Sequence, residues 1–192
     1  QEVKSKKEDL SQNKNPIYSS WAIKDLNEAQ FMGLYPAKFV LDGKDFTRPV
    51  TLDDAVACYE LAREKIEERD LVTGGDFAFK DLNRAEILNS ISKLLNDEKF
   101  EMKNLREAKI FLGSADEKYL NSKIPLQEMI SLYNRAVNKV LQENGKVSKG
   151  FFYEVSNKDN KIYMLGSIHV GKSSLYPLDE NIIKALKSSE KI

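Results

Sequence analysis

Three stretches of this sequence combine a helix-start signal with the apolar spacing of an amphipathic helix, and they constrain the fold more than any other feature. The first begins at Thr51, with Asp54 as its capping partner, and the second begins at Asn83, with Glu86 at the same offset. The third begins at Pro125, which is tolerated in a first helical turn because the N–H group that it lacks would have no helical acceptor there. Each helix must bury one face against another element, so the three stretches predict a helical core.

Apolar residues recur at helical spacing in all three stretches. They are Leu52, Ala55, Val56, Tyr59, Ala62 and Ile66, then Ile87, Leu88, Ile91, Leu94 and Leu95, then Leu126, Met129, Ile130, Tyr133, Val137, Val140 and Leu141. Shorter helices are predicted before the first and third stretches, at about 20–32 and 103–112. The charged stretch 1–15 predicts a flexible tail. Residues 16–145 are therefore expected to form an all-α bundle.

Composition excludes several classes of function. Lys plus Arg and Asp plus Glu number 30 each, so the chain has no net charge and no global basic field for nucleic acid. No apolar run approaches the roughly 18 residues that span a bilayer. The single cysteine, Cys58, precludes an internal disulfide and is expected to be a small buried side chain. A chain that starts at Gln1 without methionine fits a mature secreted protein or a trimmed chain.

After the linker-like residues 144–150, the pattern changes from helix to strand. FFYEVS and KIYML flank the turn-rich residues 157–160 and predict a β-hairpin. An amphipathic helix is predicted from about residue 178 or 179, with an apolar face of Ile182, Ile183 and Leu186. A lone hairpin is marginally stable, so its strands are expected to dock on the bundle or to pair with another copy.

The stretch KIYMLGSIHVGKS supports two incompatible interpretations. Gly166, Gly171, Lys172 and Ser173 fit the phosphate-loop spacing G-x-x-x-x-G-K-[ST]. A phosphate loop needs a parallel sheet and a helix that begins at the Lys-Ser pair. Here the strand belongs to a predicted hairpin, and Pro177 prevents an unbroken helix from Lys172. Nucleotide binding is therefore the weaker interpretation.

The second interpretation reads the same residues with their neighbours. An aromatic-led strand, a polar turn, IYMLGSIHVGK, LYPL and an amphipathic helix follow one another over residues 151–192. This order resembles the opening of the TraB/PrgY/GumN family, which is related to the Tiki proteases. Gly166, Ser167, Ile168 and His169 match the first Gly-x-x-His element of that family.

The resemblance implies a metal-dependent hydrolase. In that family the first Gly-x-x-His, a glutamate and a second Gly-x-x-His are thought to form the catalytic metal site. His169, the only histidine of the chain, would be one ligand of Zn, Mn or Co in a longer protein. A metal ion usually takes about three or more protein ligands, so this chain alone is expected to be inactive and without a cofactor. The alternative for His169 is a lone imidazole that is satisfied by backbone at a strand end.

The bundle carries a second resemblance. WAIKDLNEAQFMGL and MKNLREAKIFLG share Leu, a Glu-Ala pair and Gly at nearly the same spacing, and a loop and a long helix follow each. This unit resembles the S-layer homology repeat. Its best copy spans residues 21–66, a second copy keeps Leu-Asn-Arg-Ala-Glu at 82–86, and a third copy at 125–128 lacks the arginine.

In that family three repeats pack as a pseudo-threefold bundle whose grooves bind anionic cell-wall polysaccharide. The matching positions here are Trp21, Arg48 and Arg84. Each also has a structural interpretation. Trp21 would anchor the core, Arg48 would pair with Asp45 or Asp53, and Arg84 would be an ordinary solvated residue.

The sequence thus predicts a mainly α chain, with an S-layer-homology-like bundle at residues 16–145 and the first hairpin and helix of an incomplete α+β domain at 151–192. The expected function is that of a bacterial cell-surface hydrolase with a domain that binds or faces wall polysaccharide. A non-enzymatic wall-binding or scaffolding module is the alternative. Nucleic acid and a membrane span are not expected, and self-association through the C-terminal strands is.

Overall fold

The computed structural model describes residues 15–96, 101–157, 160–166 and 173–189. Within these ranges the chain is mainly α-helical and carries one two-stranded antiparallel sheet, as predicted. The helices are α1 (Ile23–Met32), α2 (Lys38–Leu41), α3 (Leu52–Glu67), α4 (Arg84–Leu94), α5 (Met102–Glu107), α6 (Glu117–Leu120), α7 (Leu126–Glu143) and α8 (Glu180–Ser188). The strands are β1 (Phe152–Asn157) and β2 (Asn160–Leu165), and two short 3₁₀ turns are Ser20–Ala22 and Ser173–Leu175. We refer to residues 20–143 as the helical region and to residues 151–192 as the C-terminal segment.

The three predicted start residues, Thr51, Asn83 and Pro125, are the N-cap residues of α3, α4 and α7. Thr51 Oγ1 accepts a hydrogen bond from Asp54 N at 3.3 Å, and Asp54 Oδ2 accepts one from Thr51 N at 3.1 Å, which closes a capping box. Asn83 Oδ1 accepts from Glu86 N at 2.9 Å. Pro125 is the cap residue that directly precedes α7, rather than a member of its first turn. Local capping chemistry therefore sets where α3 and α4 begin.

The core lies between α1, α3, α4 and α7. Tyr59 and Tyr133 are fully buried, and their rings meet edge to face with centroids 6.3 Å apart. The Tyr133 hydroxyl lies 2.7 Å from Ser90 Oγ, so this polar tip is satisfied inside the core. Phe77 and Phe79, from the irregular stretch after α3, complete the aromatic cluster around Tyr59.

Two residues predicted for the buried face of α3 are exposed. Leu52 is 51% and Val56 43% accessible to solvent, because the helix turns a different side to the core. The buried side is centred on Ala55 and Ala62 and extends to Cys58. Burial raises the pKa of the Cys58 thiol, so the predicted small buried side chain also stays protonated.

The short helix predicted over 103–112 is shorter than expected. It ends at Glu107, and Lys109 adopts a left-handed backbone conformation with φ of 57°. A left-handed residue cannot continue a right-handed helix, so Ile110 and Phe111 enter the core from a loop instead.

Backbone hydrogen bonds join the loops at the start of α3 and α7. Val50 N donates to Ile124 O at 3.0 Å, and Leu126 N donates to Arg48 O at 2.9 Å. Ser19 N donates to the Gln127 side chain at 2.8 Å, which brings the 3₁₀ turn with Trp21 to the same end of the bundle.

One face of the hairpin in the C-terminal segment mixes charged and aromatic side chains, and the other is mainly apolar. On the first, Glu154 pairs with Lys161 at 2.8 Å, and Phe152 stacks on Tyr163. The register places apolar residues on the second face, and all of them are exposed: Phe151, Tyr153, Val155, Ile162 and Met164. In α8, Ile182 and Ala185 are buried, whereas Leu186 is exposed, contrary to the predicted apolar face.

Candidate functional site

The end of the hairpin places the start of the Gly-x-x-His element. Gly166 follows β2 directly, and its N–H donates to Phe151 O at 2.8 Å. A Cβ atom at this position would lie 3.1 Å from Phe151 Cβ, a tight contact that explains why glycine suits the site. Ser167, Ile168 and His169 lie outside the described residues, so the predictions for them rest on sequence.

Among the described residues that follow the element, Ser173–Leu175 form a 3₁₀ turn. Tyr176 and Pro177 separate this turn, Ser173–Leu175, from α8. Asp179 caps α8, since its carboxylate accepts from Asn181 N at 2.8 Å. A phosphate loop needs a helix that begins at its Lys-Ser pair, whereas the α-helix that follows Ser173 among the described residues is α8, which begins at Glu180. In addition, β2 pairs antiparallel with β1, and a phosphate loop needs a parallel sheet.

This order of hairpin, element, turn and helix is the one expected from the resemblance. Residues 151–192 match the TraB/PrgY/gumN family model. The match covers the whole C-terminal segment and confirms the resemblance inferred from its residues. Comparison with curated proteins and with solved structures gives no match to this chain. The resemblance of the helical region to S-layer homology repeats stays a prediction.

The helical region contacts the turn after the TraB/PrgY/gumN element through a buried lysine. Lys65 of α3 is only 4% exposed, and its Nζ donates to Ser173 Oγ at 3.0 Å and to Glu68 Oε2 at 3.3 Å. A buried ammonium group is costly unless it is paired and hydrogen-bonded. Both partners serve that need, and one of them belongs to the C-terminal segment.

Two further contacts involve Tyr176, which directly follows this turn. The Arg69 guanidinium donates to Lys146 O at 2.9 Å and to Tyr176 O at 3.0 Å. The Tyr176 ring stacks on Phe31 of α1 with centroids 5.1 Å apart. The turn therefore has fixed contacts with α1 and α3, although neither helix lies within the family match.

The helical region has a polar network that the sequence reasoning missed. The Arg135 guanidinium donates twice to Asp25 Oδ2, at 2.6 and 3.0 Å, and Asn134 donates to Glu28 at 3.1 Å and to Asp25 at 3.5 Å. Asp25 is 8% exposed and Asn134 is 1% exposed. One signal was available, because Asp25 falls between Ala22 and Ala29 at helical spacing and so lies on the buried side of α1. A carboxylate there requires a cationic partner, which lies more than a hundred positions away.

Trp21 lies on the surface and does not anchor the core. It is 53% exposed, beside Tyr18 at 45%. The structural interpretation of Trp21 as a core residue is therefore wrong. An exposed indole offers a flat apolar face to a ligand, which is what the resemblance requires of this position.

Arg48 pairs with Asp54, and not with the expected Asp45 or Asp53. Its Nη2 lies 2.6 Å from Asp54 Oδ2, and Lys44 Nζ lies 2.8 Å from the other oxygen. Burial alone would raise the pKa of Asp54, but hydrogen bonds from Lys44, Thr51 and Arg48 outweigh it and lower the pKa to about 2. Arg48 keeps about a quarter of its side chain exposed.

Arg84 is buried and internally paired, so the interpretation of it as a solvated residue is also wrong. It forms a two-pronged bond with Glu128 at 2.6 and 2.7 Å, and Nη1 donates to Ser122 Oγ at 2.6 Å and to Lys123 O at 3.0 Å. The guanidinium lies over the Tyr119 ring, 4.2 Å from its centroid. The predicted polysaccharide contact of Arg84 stays a prediction, and these acceptors already use four of its five N–H groups.

The described residues provide no complete metal site. Across 15–96, 101–157, 160–166 and 173–189, no group of three or more His, Cys, Asp or Glu side chains is arranged to bind a metal ion. Cys58 is buried in the core and protonated, which makes it unsuitable as a ligand. In the same ranges, no helix is long and apolar enough to cross a membrane.

Proposed function

We propose that this chain belongs to a divalent-metal hydrolase of the TraB/PrgY/gumN kind and supplies the first part of its catalytic domain. The observation that carries the proposal is the family match over residues 151–192, which contains the Gly-x-x-His element. The proposed reaction is cleavage of a peptide or related bond. A bound metal ion would activate water and polarise the scissile carbonyl group.

His169 is the proposed metal ligand from this chain. The remaining ligands would come from a glutamate and a second Gly-x-x-His in a longer protein, since the described residues do not form a complete set. An imidazole and carboxylate set would suit Zn, Mn or Co. Gly166, Ser167 and Ile168 are the other residues of the Gly-x-x-His element, and the contacts of Lys65 and Arg69 would hold residues 173–176 in place.

The test of the hydrolase proposal uses the complete protein and two variants. We expect the purified protein to contain one of these metals by elemental analysis and to cleave a peptide library, and His169→Ala to lose both. Lys172→Ala is the matched control, since it changes the same stretch without removing a ligand. Retention of metal and activity by His169→Ala would contradict the assignment, as would metal-dependent hydrolysis by residues 1–192 alone. Loss of ATP or GTP binding in Lys172→Ala would instead revive the phosphate-loop interpretation.

The helical region is proposed to bind or face bacterial cell-wall polysaccharide at Trp21 and Arg48. Support comes from the exposed indole of Trp21 and from the partly exposed guanidinium of Arg48, which can bind a carboxylate or ketal acid. This role implies a location at the bacterial cell surface. Arg84 would support the surface at Trp21 and Arg48 by joining the starts of α4 and α7 through its pair with Glu128.

Sedimentation of the chain with purified cell walls tests this role. We expect the parent chain to sediment, and Trp21→Ala and Arg48→Ala to remain in solution. Leu41→Ala, at a 74% exposed apolar position, and Arg106→Ala, at an exposed arginine on α5, are the matched controls. A parent chain that stays in solution would remove the binding role and leave the helical region as a spacer.

A non-enzymatic scaffolding role is the second candidate, and the exposed apolar face of the hairpin favours it. Five apolar side chains of that face are between 49% and 69% exposed. We propose that this face associates with a second copy of the chain. Analytical ultracentrifugation should then show a dimer that Val155→Lys abolishes and Ser156→Lys, on the opposite face, does not. A parent chain that sediments as a monomer would end this proposal.

A further inference from the structure

A groove of about 880 Å³ runs between α1, α7 and the stretch 176–187 of the C-terminal segment. This volume is in the range of about 300–1,000 Å³ that is usual for small-molecule sites. The groove residues of α7 lie in its C-terminal half, from Asn134 onward. Trp21, Arg48 and Arg84 do not line it, so it is separate from the surface considered for wall polysaccharide.

The groove is rich in charge but nearly neutral. Its lining contains six Lys or Arg side chains and five Asp or Glu side chains. Most of these charges pair with one another: Arg135 with Asp25, Lys24 with Glu28, Lys139 with Glu143, and Lys184 with Glu180. A polyanion would meet five carboxylates and a polycation would meet six cations, so neither suits this lining.

Lys109, Lys187 and Asp179 belong to none of these pairs, and amide side chains and Arg135 supply the rest of the hydrogen-bonding capacity. Asn138 donates to Asn134 Oδ1 at 3.1 Å, and Gln142 donates to Leu178 O at 2.9 Å, which leaves the side-chain oxygen of each as an acceptor. Among the described residues, the Asn181 side-chain amide has no hydrogen-bond partner. Arg135 uses three of its five N–H groups, on Asp25 and on Ile110 O. Donors and acceptors are thus both available from planar groups.

Apolar surface lies between these polar groups. Met32, Ala108, Tyr176, Pro177 and Leu178 contribute to the lining. A ligand that fits this groove must present apolar patches together with several closely spaced, uncharged hydrogen-bond donors and acceptors. A hydrocarbon would leave the polar groups desolvated without partners, which is costly.

We propose that this groove binds an uncharged oligosaccharide that carries hydroxyl and acetamido groups. Sugar hydroxyls both donate and accept, so they match the free acceptors of Asn138 and Gln142 and the free donors of Asn181 and Arg135. The acetamido group pairs with a side-chain amide, and its methyl group and the sugar ring face cover the apolar wall. Because one wall is the C-terminal segment, a bound saccharide would bridge that segment to the helical region.

Titration of the chain with N,N′,N″-triacetylchitotriose, followed by amide chemical shifts in NMR and by calorimetry, tests the proposal. We expect shifts to concentrate in α1, the second half of α7 and residues 176–187. The double variant Asn138→Ala with Asn181→Ala removes about two neutral hydrogen bonds and should weaken binding about tenfold. Asn104→Ala, at an exposed asparagine on α5, is the matched control and should bind like the parent.

The outcomes separate this site from the surface at Trp21 and Arg48. Loss of binding in the double variant, with binding intact in Trp21→Ala, supports the groove. Binding that Trp21→Ala abolishes and the double variant preserves overturns it, as does the absence of measurable binding by the parent. An unstructured peptide that binds in place of the trisaccharide and shifts the same amides also overturns it. None of these results depends on His169 or on wall sedimentation, so the groove and the proposed function can fail independently.

Discussion

Two tyrosines show how differently the two regions of this molecule are stabilised. Tyr133 in α7 is fully buried, and its hydroxyl is satisfied by Ser90, whereas Tyr153 in β1 is 59% exposed. The same side chain therefore contributes to a closed core in one region and to an open face in the other. In the helical region, the apolar faces of α1, α3, α4 and α7 cover each other.

The C-terminal segment buries little by itself. Pro177, Ile182 and Ala185 are its buried apolar residues in the part of the chain that the structure describes, while one hairpin face is exposed to solvent. The segment contacts Phe31, Lys65 and Arg69 of the helical region. A two-stranded hairpin has marginal stability in water, and these contacts are made by residues 173–176, which follow the hairpin in the chain.

Replacing each of these tyrosines by alanine should give the largest difference between the regions. Tyr133→Ala leaves a large cavity and should lower the free energy of unfolding by about 3–5 kcal/mol. Tyr153→Ala removes exposed surface and should change it by less than about 0.5 kcal/mol. Urea unfolding followed by circular dichroism measures both. Equal losses would show that the hairpin face is covered in solution, as in the proposed association of two copies, and would break the comparison.

The buried ion pair of the helical region should be the next most sensitive feature. Arg84→Met leaves Glu128 without its cation in a mostly buried place and should cost about 3 kcal/mol. Lys24→Met removes an exposed partner of Glu28 and should cost at most about 1 kcal/mol. The same urea unfolding measures both variants. A small loss of stability in Arg84→Met would show that the pair with Glu128 contributes little to the fold. Arg84 would then be available for the ligand role that the S-layer-homology resemblance suggests.

Acid should weaken the helical region through Asp54. Its pKa is lowered to about 2 in the folded state, below the ordinary value near 4, so its stabilising effect is present above pH about 4 and is lost as the pH falls towards 2. Asp54→Asn removes this dependence and should cost roughly 1–2 kcal/mol at pH 7, because the capping box and the pairs with Lys44 and Arg48 are weakened. Unfolding curves between pH 2 and 7 measure the slope.

Asp53→Asn is the control for the acid experiment, because Asp53 lies beside Asp54 in the first turn of α3 and takes no part in these pairs. Its unfolding curves should keep the acid slope of the parent chain. An unchanged slope in Asp54→Asn would place the acid sensitivity elsewhere.

Local features of the fold could be predicted from the sequence, and the reason is physical. The capping residues Thr51 and Asn83 act on amides three positions away, and the hairpin of 152–165 follows from strand patterning around a short turn. Such interactions are encoded in a few neighbouring residues. The match of the C-terminal segment likewise rests on one continuous stretch.

Partners distant in sequence could not be predicted. Arg84 meets Glu128 across 44 positions, and Asp25 meets Arg135 across 110. Both pairs depend on how the helices rotate about their axes, as does the exposure of Leu52 and Val56. Helical periodicity predicts that a helix has an apolar face, but it fixes the centre of that face only to within several tens of degrees. The position of the centre decides whether a charged residue beside the apolar face is buried.

The smallest and most local effect should come from Phe31, whose ring joins the two regions by stacking on Tyr176. Phe31→Ala removes a pair worth about 1 kcal/mol, so amide hydrogen exchange in α8 should accelerate about fivefold while α3 and α7 stay protected. Leu112→Ala, at a 69% exposed apolar position, should leave both patterns unchanged. Acceleration that spreads to α3 and α7 would mean that the C-terminal segment supports the helical core, and the two regions would then unfold as one unit. An unchanged exchange rate in α8 would mean that the Phe31 ring is not needed to hold α8 in place. The contacts of Lys65 with Ser173 and of Arg69 with Tyr176 would then be sufficient.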